Sequence, residues 1–448
     1  MSTPPSLQAV EPAAVERVPH GRAVTGSRRY WRINLALFLA GLSTFSLLYC
    51  VQPLLPLLAQ RFAVSATQSS LALSLSTGCL AGAILFAGAW SAGADHRRLM
   101  FWSMVCAAGA NLLASQSPPW AGVLAARALV GLCMGGVPAV AMAYLAEHVE
   151  SRGLGLSTGL YVGGTAFGGM MGRVGMGLLL DRMDWRPAML VLSLTDLAVA
   201  LGFLLLLPAD PPEVGRSADV LGTAGTPGTP GGPGNPGGAM ALRLTGHLAI
   251  WRMHLAQPAL RLLFATAFLG MGFFVTLYNY AGFHLQQAPF NLSVTHIGLI
   301  FCAYVFGMVA APMAGGLADR HGQAPVLLAG CGVAVSGILL LLVPQLPVFI
   351  LGVVLVTIGF FMAHATASGW VGRLAQGYKG HATALYLLAY YGGSSLLGTA
   401  GGRCWQALGW PGVCSYALLL VLGMALLGVR LRWLVRQAAR SAAVAAST

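Results

Sequence analysis

Residues 127–136, Arg-Ala-Leu-Val-Gly-Leu-Cys-Met-Gly-Gly, return in altered form as residues 355–364, Leu-Val-Thr-Ile-Gly-Phe-Phe-Met-Ala-His. Both segments are mainly apolar and keep a glycine at the fifth position and a methionine at the eighth. At nearly the same offset, Tyr-Val-Gly-Gly-Thr at 161–165 matches Tyr-Tyr-Gly-Gly-Ser at 390–394. Duplicated membrane halves place a binding site at their interface and move against each other about it. The repeat therefore predicts two similar halves with a shared site.

The composition places the chain among membrane proteins. Apolar residues make up 57% of the chain and charged residues only 8%, whereas about 25% of the residues of a soluble domain are charged. A membrane span needs about 20 mostly apolar residues, and in lipid such a run must be helical to satisfy its backbone polar groups. The sequence holds twelve candidate runs, with approximate limits 33–58, 68–91, 98–116, 119–146, 153–180, 187–208, 259–285, 295–317, 325–343, 346–370, 381–403 and 411–434.

These runs predict an all-α membrane protein with twelve transmembrane helices in two six-helix pseudo-repeat bundles. The bundles are expected at residues 33–208 and 259–434. A linker at 209–258 joins them, and tails at 1–32 and 435–448 flank them. The lipid bilayer is the expected surrounding of nearly the whole chain.

The linker has two unlike parts. Residues 221–240 contain eight glycines and four prolines and no charged residue. Such a stretch cannot bury a core, so it is expected to be a disordered tether. The part that follows has basic residues and histidines beside apolar ones, which predicts either an amphipathic helix on the inner leaflet or solvated linker. Its residues are Arg243, His247, Arg252 and His254.

The positive charge follows the membrane topology. The net charge of +13 could indicate nucleic acid, but no basic patch interleaved with aromatic residues supports nucleic-acid binding. With the N-terminus inside, 19 of the 25 Lys and Arg residues fall on the cytoplasmic side. This bias predicts a multi-pass protein with both termini in the cytoplasm. No apolar stretch typical of a cleavable signal peptide precedes Arg32.

Enzyme chemistry is not indicated. The eight cysteines lack Cys-x-x-Cys spacing and lie in apolar segments, so neither a metal site nor a disulfide framework is expected. The sequence contains no His-Glu-x-x-His motif and no nucleotide-binding loop. The chain is therefore predicted to have no cofactor and no catalytic residues, which leaves an intramembrane enzyme or a lipid-handling protein as the disfavoured class.

A loop motif leads to a family. Residues 315–322, Gly-Gly-Leu-Ala-Asp-Arg-His-Gly, resemble the loop motif between helices eight and nine of the major facilitator superfamily. The first copy, at 88–98, has Ala92 in place of the carboxylate. The resemblance implies a conformational lock in the second copy that the first copy lacks. The motif residues carried over are Gly315, Asp319, Arg320 and Gly322.

Further motifs extend the resemblance over essentially the whole chain. Arg127, followed by glycines, resembles the superfamily's helix-four motif, and helix five resembles its antiporter signature, with Thr165 in place of the proline. The stretches 49–53, 159–163, 274–280, 359–364 and 385–391 look like those of the YnfM-type bacterial inner-membrane exporters. The resemblance implies a secondary transporter of the inner membrane. The helix-five residues are Gly155, Gly164, Gly168 and Gly169.

Ionisable residues inside the predicted helices are candidates for the transport pathway. Arg127 lies about 12 Å below the outer surface, where a charge costs about 2.5–3.5 kcal/mol on insertion scales. It is interpreted as a cation beside the cavity, with Asp196 as a possible partner and structural bonding to helix carbonyls as the alternative. His364 could relay protons or be structural. Arg173 and Arg403 lie near predicted outer helix ends, where interfacial snorkelling is expected.

Polar and aromatic residues supply a candidate ligand pocket, since such pockets combine apolar walls with a few polar groups. The residues are Gln52, Tyr278, Asn279 and Tyr390.

The favoured function is secondary active transport of a small organic solute, as proton-coupled export of a drug, metabolite or sugar. Proton symport or uptake of a metabolite is the alternative. The expected partners are the small-molecule substrate, protons and lipid, and the chain is expected to work as a monomer.

Overall fold

The computed structural model describes residues 22–90, 95–208 and 236–447. Over these ranges the chain is almost entirely helical, and an isolated β-bridge joins Ala23 to Val149. The helices are α1 (Arg28–Tyr49), α2 (Leu55–Arg61), α3 (Ala66–Trp90), α4 (His96–Gln116), α5 (Trp120–Met134), α6 (Gly136–His148), α7 (Ser151–Leu180), α8 (Trp185–Leu206), α9 (Pro236–Ala256), α10 (Pro258–Leu285), α11 (Val294–Ile300), α12 (Tyr304–His321), α13 (Gln323–Leu340), α14 (Leu346–Leu374) and α15 (Lys379–Ser447).

Ten segments of the described ranges are long and apolar enough to cross a membrane. One of them, Lys379–Gln437, bends at Gly409, where φ is 60° and ψ is −146°, so that α15 has two arms. α7 is 30 residues long but is not among the ten. The all-helical membrane architecture is confirmed, and the number of twelve spans stays a prediction.

The two halves repeat one helix contact. Gly164 of α7 lies against the backbone of Phe38 in α1, and Gly393 of α15 lies against the backbone of Phe268 in α10. A side chain at either glycine would overlap that backbone, so each glycine allows its two helices to approach closely. These matched contacts confirm the predicted internal repeat. Two further contacts correspond in the same way. The contact of Gly172 with Ser46 matches that of Gly401 with Thr276, and the contact of Leu42 with Gly168 matches that of Gly272 with Leu397.

The halves meet at one end of the molecule, which we call the sealed end. The backbones of α7 and α11 touch there, with the Cα of Gly298 3.0 Å from the position of a Cβ on Gly177. The Thr295 hydroxyl donates to the Gly177 carbonyl at 2.9 Å. Hydrogen bonds that join the halves within the described residues gather at this end, and they include Tyr280 to Ser70 (3.2 Å), Ser395 to the Ser74 carbonyl (2.7 Å) and Thr399 to the Ser74 hydroxyl (2.6 Å).

The second part of the linker is a helix. α9 packs against the start of α15, where His247 Nδ1 lies 2.7 Å from His381 Nε2. The buried His254 lies 3.3 Å from the Tyr378 carbonyl. The segment is therefore helical, and its placement on the inner leaflet stays a prediction. Residues 221–235 of the predicted tether lie outside the described ranges, and residues 236–240 form the beginning of α9. Ala92 of the first loop motif also lies outside the described ranges.

The predicted N-terminal tail contains packed residues. The Ala23 amide donates to the His148 carbonyl at 2.7 Å, and the Thr25 amide donates to the Glu150 carboxylate at 3.2 Å. α1 begins at Arg28, before the predicted boundary at 33. The segment that enters α1 is thus held against the connection between α6 and α7.

Candidate functional site

Two membrane helices are interrupted near the sealed end. α1 ends at Tyr49, and a 3₁₀ turn at Gln52–Leu54 precedes α2. In the other half, a 3₁₀ turn at Phe301–Ala303 separates α11 from α12. Pro53 and Pro56 have no amide hydrogen to donate, which explains the interruption after α1. A 3₁₀ stretch within a helix often marks a functional hinge.

Arg173 of α7 connects these interruptions. Its side chain is buried, with 1% exposed. Nε donates to Gln52 Oε1 at 2.5 Å, and Nη1 donates to the Gly169 carbonyl at 2.7 Å. The guanidinium carbon lies 4.0 Å from the ring centroid of Tyr49 and 4.7 Å from that of Tyr304 in the other half. The prediction that Arg173 snorkels to the membrane interface is therefore wrong.

The length of α7 indicates that Arg173 is buried. α7 continues from Arg173 to Leu180, so Arg173 lies about as far from its helix end as Arg127 does from Trp120. At 1.5 Å per residue both lie about 10 Å from those ends. The depth argument that predicts a buried Arg127 therefore predicts a buried Arg173 as well.

The structure brings together Gln52 and Asn279, which are both predicted pathway residues. Gln52 Nε2 donates to Asn279 Oδ1 at 2.6 Å across the two halves. Both side chains are buried. We call Arg173, Gln52 and Asn279 the interface cluster. Gln52 lies between the other two residues, and each of those keeps a buried donor without a hydrogen-bond partner. These donors are Nη2 of Arg173 and Nδ2 of Asn279.

Tyr278 faces away from the interface cluster, although it precedes Asn279 in the sequence. Its hydroxyl lies 2.7 Å from Thr357 Oγ1, inside the second half. Its ring stacks on Phe301, with centroids 5.2 Å apart. Tyr278 thus packs behind the 3₁₀ turn and positions it, instead of lining the interface.

Tyr390 and His364 form an aromatic group between α14 and α15. Their ring centroids are 4.6 Å apart, and His364 Nδ1 lies 3.0 Å from the Tyr386 hydroxyl. The Tyr390 ring also packs against Tyr391 and Phe360, with centroids 5.0 and 6.3 Å apart. Tyr390 and His364 thus belong to the aromatic packing of the second half.

Arg127 is fully buried within the first half, and its hydrogen-bond partners are backbone carbonyls and one side-chain amide. Nη1 donates to the Leu47 carbonyl at 2.9 Å and Nη2 to the Leu48 carbonyl at 2.6 Å. These carbonyls belong to the last turn of α1, which has no following turn to supply donors. Further bonds run to the Ala72 carbonyl and to Asn111 Oδ1, at 3.1 and 3.0 Å. Arg127 thus caps α1 at its interruption.

The suggested pairing of Arg127 with Asp196 is not observed. Among the described residues Asp196 forms no ion pair, and it accepts from the Ser46 hydroxyl at 3.5 Å. The two residues belong to one buried polar region instead, because Asn111 accepts from Arg127 and donates to Ser193, at 3.0 Å each. Ser193 precedes Asp196 on α8 by about one turn. Asp196 is therefore a buried carboxyl whose one described hydrogen bond comes from the Ser46 hydroxyl.

The loop motif forms a contact within the second half. Asp319 Oδ1 accepts from Arg373 Nη1 at 2.9 Å, and both side chains are exposed. Gly322 ends α12 with a φ of 85°, in the left-handed region that favours glycine. Arg320 lies in the last turn of α12, and a Cβ on Gly315 would meet nothing within 4 Å.

The helix-five glycines serve different purposes. Gly164 and Gly168 lie directly against the α1 backbone. Gly169 faces the site, because a Cβ there would lie 3.2 Å from Arg173 Nη1. Gly155 faces open space.

Residues 155–159, Gly-Leu-Ser-Thr-Gly, match the Gly-x-Ser-x-Gly spacing of hydrolases, which the sequence interpretation overlooked. A hydrolase presents this serine on a sharp turn between a strand and a helix. Here the whole segment lies inside α7, and Ser157 is buried with no described hydrogen-bond partner. The segment therefore lacks the strand-to-helix turn on which a hydrolase presents its serine.

The sequence matches the model of the Major Facilitator Superfamily at residues 35–291 and 262–447. It is 39% identical over 406 residues to the inner membrane transport protein YnfM of Escherichia coli (strain K12), with 91% of this chain and 92% of that protein covered. It is 34% identical over 397 residues to the uncharacterized MFS-type transporter YybF of Bacillus subtilis (strain 168), with 89% and 92% covered.

Solved structures resemble the fold at low sequence identity. A bacterial homolog of the human lysosomal transporter Spinster matches with a TM-score of 0.65 at 14% identity, over 91% of this chain and 95% of that one. The nucleoside transporter NupG matches with a TM-score of 0.66 at 12% identity, over 90% and 99%. These structures support the fold assignment.

Proposed function

The chain belongs to the Major Facilitator Superfamily, and we propose that it exports a small organic solute across the bacterial inner membrane in exchange for protons. The observation that carries alternating access is the sealed end, where Gln52 and Asn279 bond across the halves at 2.6 Å. Two halves that share a site and close it at one end can open there only by moving against each other.

The charge distribution supports the orientation. The basic residues assigned to the cytoplasm include Arg98 and Arg320, at the end opposite the seal. If both termini are cytoplasmic, as we propose, the sealed end is the outward-facing end. The halves, at 33–208 and 259–434, lie in one chain, which supports a monomer as the working unit.

Asp196 supports proton coupling. A buried carboxylate is costly unless it is paired or protonated, and this one has one hydroxyl partner, Ser46 at 3.5 Å, and no described ion pair. Such a carboxyl can bind and release a proton while its surroundings remain intact. Export is supported by the resemblance of helix five to the antiporter signature, whose Gly164 and Gly168 are packed against α1.

The test uses everted membrane vesicles, acidified inside by respiration, with a pH-sensitive dye and a panel of drugs, sugars and organic acids. An exported solute added outside should release protons from the lumen. Asp196→Asn should abolish that release, because an amide oxygen can accept the same hydrogen bond but the amide cannot take up and release a proton at this pH. Asp181→Asn, at an exposed position after α7, is the control.

Export without proton release would contradict coupling. Proton-driven movement of solute out of the vesicle lumen would instead support the alternative, symport into the cell. Unchanged coupling in Asp196→Asn would remove that residue from the pathway.

A further inference from the structure

We propose that the interface cluster binds the anionic group of the transported solute, so that the substrates are organic acids with an apolar or aromatic body. The inference rests on the proposed transport function and names its substrate class. It is carried by two buried donors on the cluster that have no hydrogen-bond partner, Arg173 Nη2 and Asn279 Nδ2.

The two buried arginines differ in how their donors are satisfied. In Arg127, each of the three guanidinium nitrogens donates to a described acceptor. In Arg173, Nε and Nη1 have acceptors and Nη2 has none. A buried donor without a partner costs about 1–3 kcal/mol, and more when the group is charged. Every guanidinium nitrogen of Arg127 is therefore satisfied, whereas Arg173, with the Tyr304 side chain as a further polar neighbour, keeps one nitrogen without an acceptor.

The charge of Arg173 is also unmatched. The guanidinium is always protonated, and no described acidic side chain forms an ion pair with it. Its close neighbours are the amide of Gln52 and the rings of Tyr49 and Tyr304. A buried charge is stabilised best by an opposite charge with hydrogen bonds. A carboxylate or another oxyanion supplies both.

The position suits a transported ligand better than a fixed one. Arg173 contacts both halves, and Asn279 belongs to the half opposite Gln52. An acid bound between these donors would loosen or replace the Gln52–Asn279 bond, which joins the halves. Binding and opening of the sealed end would then be linked.

Aromatic rings define the rest of the ligand. Tyr49 and Tyr304 flank the guanidinium from opposite halves, and the ring of Phe301 lies 5.2 Å from it. Ligand pockets pair apolar walls with a few orienting polar groups. An aromatic or aliphatic body beside the anionic group fits this arrangement.

The test measures binding to the purified full-length protein in detergent, through the ligand-dependent rise of the thermal unfolding midpoint. The probes are benzoate, its neutral analogue benzamide, and phenylphosphonate. We expect benzoate or phenylphosphonate to half-saturate at a concentration at least about tenfold below that of benzamide, which corresponds to about 1.4 kcal/mol. The comparison of the two anions distinguishes a carboxylate substrate from a phosphorylated one.

Arg173→Gln should reduce the preference for the anion to about onefold. Asn279→Asp, which places a carboxylate beside Arg173, should do the same and serves if Arg173→Gln does not fold. Arg403→Gln, an exposed arginine at the sealed end, should keep the full preference. Equal half-saturation by benzoate and benzamide in the unaltered protein, or a preference that survives Arg173→Gln, would overturn the proposal.

Because no gradient is present in this assay, its outcome is separate from transport. Selective anion binding without proton release in vesicles would contradict the proposed export function and leave the anion site standing. Proton-coupled export of neutral or cationic solutes, without any anion preference in binding, would contradict the anion site alone.

Discussion

Arg127 and Arg173 show what an arginine in a membrane helix can do at the level of the single residue. Both are buried at similar distances from their helix ends. Arg127 supplies donors to carbonyls that α1 leaves open at its interruption, which also agrees with the preference for a cation at a helix C-terminus. It acts as a positioning residue, because it stabilises the point at which the chain turns to present Gln52.

We predict that Arg127→Ala lowers the stability of the protein. The Leu48 carbonyl would lose its Arg127 donor, at about 1–3 kcal/mol, and the Leu47 carbonyl would keep only the weak thiol donor of Cys50 at 3.2 Å. Arg127→Lys should restore only part of the loss, since an ammonium lacks the planar fork. The measurement is the thermal unfolding midpoint in detergent, with Arg403→Ala as an exposed control. An Arg127→Ala protein as stable as the control would contradict the capping role.

The sequence could predict residue types better than side-chain directions. Gln52 and Asn279 were predicted as site residues, and they bond to each other at 2.6 Å. Tyr278 was predicted beside Asn279, but neighbours on a helix point about 100° apart, so it faces the interior of its own half. Which way a helix is rotated depends on its packing partners, and the sequence of one helix does not contain them.

At the scale of elements, glycines set the distance between α7 and α1. Gly168 is in contact with the backbone of Leu42, which cannot move aside as a side chain can. Gly155, on the same helix, faces open space. The sequence indicated the motif, but only the packing separates glycines that touch α1 from the one that does not.

We predict that Gly168→Ala destabilises the protein by about 1–3 kcal/mol, the usual cost of overpacking. Gly155→Ala should be neutral or slightly stabilising, because alanine favours a helix over glycine by about 0.5–1 kcal/mol. Thermal unfolding of the two variants beside the unaltered protein provides the comparison. Equal midpoints for both would show that α7 and α1 can separate without cost.

At the scale of the whole molecule, the internal repeat explains the two similar halves, and the sealed end is the feature on which the proposed alternating access rests. The repeat was visible in the sequence because the glycines that allow close helix contacts recur, as Gly164 and Gly393 do. The seal was not visible, because its bonds, such as Tyr280 to Ser70, join residues far apart in the chain. Those bonds belong to the conformation described here, and the proposed alternating access requires them to break when the sealed end opens.

The most direct test of alternating access measures distances at both ends of the protein in lipid nanodiscs. Spin labels would replace Arg61 and Arg403 at the sealed end, or Arg98 and Arg320 at the opposite end, after the five cysteines that are not buried are changed to serine. Asn279→Ala removes the bond between Gln52 and Asn279 and should shift the population toward the outward-open state. We expect the sealed-end distance to lengthen and the opposite-end distance to shorten together. A change at one end alone, or movement of both ends in the same direction, would contradict the account.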